Sequence, residues 1–60
     1  MNLYEVIIDR RVKPKDDPDR DTLTSFKIPS RSLVDARKKA TQLIRSSYPD
    51  YFIIEVKRHW

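Results

Sequence analysis

An α+β fold in the order strand, strand, helix, strand follows from three features of this sixty-residue chain. Two early stretches alternate apolar and polar residues at the two-residue period of a strand. A central stretch repeats apolar residues at the helical period, and a last short stretch alternates again. The prediction is a single small domain over residues 1–60: ββαβ, a three-stranded antiparallel sheet in the order 2-1-3, with one helix packed on one face.

The first strand covers residues 2–12. Tyr4, Val6, Ile8 and Val12 share one side and Leu3, Glu5, Ile7 and Asp9 the other, so both sides are partly apolar and the strand suits the centre of a sheet. From Lys13 to Asp21 every residue is charged or proline. Prolines remove backbone donors and aspartates favour turns, which predicts an exposed charged loop at 13–21. Thr22 to Ile28 alternates once more, with Thr24, Phe26 and Ile28 opposite Leu23, Ser25 and Lys27, and reads as the return strand of a hairpin ended by Pro29.

Ser32, with Asp35 three residues on, resembles a capping box and starts the helix. Leu33, Ala36, Ala40, Leu43, Ile44, Ser47 and Tyr48 then fall on one helical face, with Asp35, Lys38, Gln42, Arg45 and Ser46 opposite. Pro49 and Asp50 mark the stop. In the final strand, Tyr51 to Arg58, simple alternation sets Phe52, Ile54 and Val56 toward the helix and Tyr51, Ile53, Glu55 and Lys57 away from it. A right-handed crossover through the helix sets this strand parallel to the second, beside the first.

Composition narrows the function classes. The longest apolar run is four residues, Tyr51–Ile54, far short of a membrane span. The N-terminus Met1-Asn2-Leu3-Tyr4-Glu5 has no basic region leading into an apolar one, so a cytoplasmic location is expected. There is no cysteine and no glycine. Disulfides, thiolate metal sites and glycine-built phosphate loops are therefore excluded, and a chain this short is expected to draw stability from a partner surface.

No catalytic, cofactor-binding or metal-binding set emerges. The single imidazole, His59, has no cysteine to pair with, and a chain this small lacks the bulk to enclose a substrate. Asp17-Pro18-Asp19-Arg20-Asp21 opens like a calcium loop, but Thr22 stands where that loop needs glycine and Ile28 where it needs glutamate. The expectation is a non-enzymatic macromolecule-binding module with no small-molecule substrate and no cofactor.

Two surfaces could do the binding. A single helix covers one sheet face and leaves the other open, with Leu3, Ile7, Leu23, Tyr51 and Ile53 as apolar anchors, Glu5 and Glu55 among them, and Lys57 helping to set register. Such a face suits a protein partner or a second copy of the chain, acting by occlusion or dimerisation, and this is the leading expectation. The alternative is sequence-tolerant nucleic-acid binding through Arg37, Lys38, Arg45, Lys57, Arg58 and Trp60. Its basis is the distribution of the +4 net charge: residues 1–29 are neutral overall, and the whole excess lies in residues 30–60.

Overall fold

A computed structural model describes residues 1–18, 20 and 22–60. Its elements are β1 (Asn2–Arg10), β2 (Thr24–Ser30), α1 (Leu33–Ser47) and β3 (Tyr51–Arg58). The sheet is antiparallel in the order β2-β1-β3, as the sequence predicts, with the helix on one face. Asp19 and Asp21, the later carboxylates of the calcium-like stretch, lie outside the described residues. Asp17, the first of them, is paired with Arg10.

The core is built where β1 alternates against α1. Tyr4, Val6, Ile8 and Val56 come from the sheet and Ala36, Ala40 and Ile44 from the helix. Val6, Ala36 and Ala40 are fully buried. The two alanines bring the helix axis close to the sheet, since neither side chain extends past Cβ. The helix leans toward β3 more than β2, leaving Phe26 and Ile28 of β2 only partly covered.

Both ends of α1 follow the sequence signals with one change of partner. Ser32 Oγ accepts from the Asp35 N–H at 3.2 Å, satisfying a first-turn donor. The Asp35 carboxylate is engaged elsewhere: it accepts from the buried Ser30 hydroxyl at 2.6 Å and lies 3.3 Å from Lys39 Nζ. At the C-terminus Pro49 stops the helix, and the Tyr51 N–H donates to the Tyr48 carbonyl at 3.0 Å, closing a tight turn directly into β3.

β2 departs from expectation at its ends. It begins at Thr24 and runs through Pro29 to Ser30, where the sequence reading stops it before the proline. Leu3, opposite Pro29, turns both its backbone groups toward the other side of β1: its N–H donates to Trp60 O and its carbonyl accepts from His59. In the alternating antiparallel ladder Pro29 therefore faces outward from the sheet, where a missing N–H removes no ladder bond.

β3 carries the main correction. Val6 pairs with Val56 and Ile7 with Glu55, but Ile8 pairs with Ile53, so one extra residue is inserted on β3. Because side chains alternate with period two, the insertion exchanges the faces of everything before it. Tyr51 and Ile53, expected on the open face, lie on the helix side and pack against the core. Phe52 goes to the opposite side beside Asp9, and Phe52 and Ile54 are exposed, where alternation placed both under the helix. The tight turn explains this. It delivers Tyr51 against the end of α1, with its ring edge-on to Tyr48 at 5.9 Å. Tyr51 and Val56 must both face the helix, yet they are an odd number of residues apart. One bulge reconciles them.

Candidate functional site

On the open sheet face the bulge leaves fewer apolar anchors than the sequence suggests. Leu3 and Ile7 are there, each partly covered by neighbours, and Phe52 joins them through the shifted register. Leu23 precedes β2 and is exposed. Charges separate the apolar residues: Glu5 stands between Lys27 and Lys57 across the three strands, and Glu55 is opposite Ile7. Lys57 Nζ approaches Glu5 at 3.6 Å, and Asp9 pairs with Lys13 at 2.6 Å. This +/−/+ ladder is the pattern of a sheet face that meets water.

The helix is charged asymmetrically. Its β2 flank carries Asp35 and Lys39, which neutralise one another, and Lys39 also donates to the Pro29 carbonyl at 3.2 Å. Its β3 flank carries Arg37, Thr41 and Arg45, with Lys38 just outside them. Thr41 and Arg45 also line the seam between α1 and β3, where Arg11 meets them alongside Tyr51 and Ile53. Arg11 is held at this place by the root of the hairpin, its N–H donating to the Asp50 carbonyl at 2.8 Å. None of Arg11, Arg37, Lys38 and Arg45 has an ion-pair partner among the described residues. Asp50 borders the row at its Arg11 end.

The six residues of the nucleic-acid expectation thus divide. Arg37, Lys38 and Arg45 stand together on one flank of α1. Lys57 is on the open sheet face with Glu5, Arg58 donates to Asn2 Oδ1 at 3.2 Å at the opposite end of β1 from Arg10, and Trp60 is 82% exposed beyond β3. Arg11 was not legible as a member because it sits in the electrically neutral first half of the chain. Only the pairing of β1 with β3 brings it under the helix C-terminus.

Asp35 and Asp9 have shifted acidity, both at structural contacts. Asp35 is held below the ordinary carboxylate range chiefly by the Ser30 hydroxyl, then by Lys39, and Asp9 chiefly by its hydrogen bond to Lys13. Neither contact faces the cation row.

A third feature has no signature in the sequence. Because α1 leans toward β3, a groove of about 500 Å3 opens between the helix and β2, lined by Phe26, Ile28, Leu43, Tyr48 and Tyr51. No helix of the described residues is long and apolar enough to cross a membrane. No protein-family model matches the chain, and neither does a curated protein or a solved structure.

Proposed function

We propose that this chain is a non-enzymatic binding module whose ligand is a polyanion, a nucleic-acid backbone, held along the β3 flank of α1 by Arg37, Lys38, Arg45 and Arg11. The observation that supports this reading is the charge asymmetry across the helix: the β2 flank is internally neutralised, while the β3 flank presents four cations without ion-pair partners among the described residues. Arg37 and Arg45 are about 12 Å apart along the helix axis, so the row can meet successive phosphates of one strand. The residues between them, Thr41 and Gln42, are polar hydrogen-bonding groups, which fits a phosphate track better than a membrane surface, where bulky apolar residues would be interleaved. Phosphate binding needs no glycine loop here. The mechanism is counter-ion release from the backbone, with little base readout.

Fluorescence anisotropy with labelled single- and double-stranded oligonucleotides across a salt series tests it. If all four cations meet phosphates of a single strand, log K falls with log salt at a slope of about −3. The double substitution Arg37→Ala, Arg45→Ala reduces that slope by roughly half, whereas Lys57→Ala, on the other sheet face, leaves it unchanged. Absence of binding to DNA and RNA of either form at low salt removes the reading.

The leading expectation from the sequence, a protein contact through the open sheet face, retains Leu3, Ile7, Glu5 and Glu55 and loses Tyr51 and Ile53 to the helix side. Its remaining apolar residues are divided by charges, so it is the lesser of the two surfaces.

A further inference from the structure

We infer that a second copy of this chain adds to the free edge of β2, continuing the two sheets into one of six strands, in a single register centred on Phe26. This goes beyond the polyanion reading and does not depend on it, since it uses the opposite flank of the molecule.

The backbone of β2 sets the possibilities. Thr24, Phe26 and Ile28 turn their N–H and carbonyl groups inward to β1, so Ser25, Lys27 and Pro29 turn theirs outward. Pro29 has no N–H to offer, and its carbonyl already accepts from Lys39. Ser25 and Lys27 remain as the outward groups able to both donate and accept. A two-fold axis pairs β2 with itself antiparallel, and each axis position gives a different match. Centred on Lys27, it opposes two lysines and faces Ser25 with Pro29. Centred on Ile28, it faces Lys27 with Pro29. Centred on Ser25, it pairs Lys27 with Leu23, outside the strand, and leaves Ile28 unmatched. Centred on Phe26, it pairs Ser25 with Lys27 twice, making about four backbone hydrogen bonds, and sets no like charges together. All of Thr24–Ile28 is then used.

The side chains favour the same axis. Thr24, Phe26 and Ile28 point to the helix side, where α1 leaves the groove against Leu43 and Tyr48. A second copy centred on Phe26 brings its own Phe26 beside the first, at the mouth of that groove, and covers the apolar surface that the leaning helix does not reach. Each copy supplies what the other lacks, which makes the contact isologous and closed.

The absence of cysteine permits a clean test in the full chain. In a non-hydrogen-bonded antiparallel pair the Cα atoms are about 4.5 Å apart, within disulfide range. Phe26→Cys is therefore expected to cross-link to itself under mild oxidation, while Ser25→Cys, placed opposite Lys27, does not. Because Phe26→Cys also removes the ring, a mixture of Thr24→Cys and Ile28→Cys chains provides a second reading: the two cross-link to each other and not to themselves. Sedimentation of the unaltered chain at tens of micromolar is expected to give a dimer, and Lys27→Pro, which removes an outward donor but no intramolecular ladder bond, a monomer. A monomer for the unaltered chain overturns the proposal. So does a dimer that survives Lys27→Pro and cross-links through Ile7→Cys, because that identifies the open sheet face as the contact.

Discussion

Ser30 contributes to stability through a buried hydroxyl that has one task, donating to Asp35. That bond and the Lys39 contact favour the ionised carboxylate, so the folded-state acidity of Asp35 lies below its unfolded value, and Asp9 behaves likewise beside Lys13. A depressed carboxyl stabilises the fold above the unfolded value and loses that contribution as pH falls through the folded one. The thermal midpoint is therefore expected to be level from pH 7 to 5 and to drop below about pH 4. Ser30→Ala returns Asp35 toward ordinary acidity, so its acid-dependent loss should be smaller. Superimposable pH profiles for the two proteins would contradict this assignment. Among apolar residues Val6 is fully buried at the centre of the sheet. Val6→Ala should cost roughly 2 kcal/mol in chemical denaturation, a large part of the roughly 3–9 kcal/mol expected for a chain of sixty residues.

At the level of elements, the four segments and their order were legible because each has its own period: two for β1 and β2, 3.6 for α1. The Ser32 cap and the Pro49 stop were legible because capping and proline chemistry are local. The face assignment of β3 was not. Tyr51, Phe52, Ile53 and Ile54 are all apolar, so either parity satisfies the pattern, and the choice is made by the turn that sets Tyr51 against Tyr48. Burial now predicts the reverse of what alternation predicts. Ile53→Ala should destabilise by roughly 2 kcal/mol, and Phe52→Ala by less than about 1. Denaturant midpoints that rank the two the other way would show that the bulge is misplaced. Pro29 teaches a similar point, since whether a proline ends a strand depends on which way its missing donor would have pointed, and that requires the register.

For the whole molecule, the candidate site was legible in part. Arg37, Lys38 and Arg45 were identifiable from helical spacing, but Arg11 joins them only through tertiary pairing, and Lys57 and Arg58 leave them for the same reason. The groove beside β2 had no sequence signature at all, because it arises from how far the helix leans. If the chain dimerises as inferred, its thermal midpoint rises with protein concentration in the micromolar range, and a midpoint independent of concentration is the contrary result. A six-stranded sheet would also hold both helices on one face, with the two cation rows at its outer margins, more than about 20 Å apart. Oligonucleotides long enough to reach both should then bind more tightly than short ones.

The β3 bulge has one more effect. A sheet with two regular free edges can recruit copies indefinitely and grow into a fibre. Here the inserted residue interrupts the regular spacing of outward groups on one edge, leaving β2 as the straight template among the described strands. The irregularity that sets Tyr51 against Tyr48 would thus also limit stoichiometry: if copies add through β2 as inferred, association stops at two.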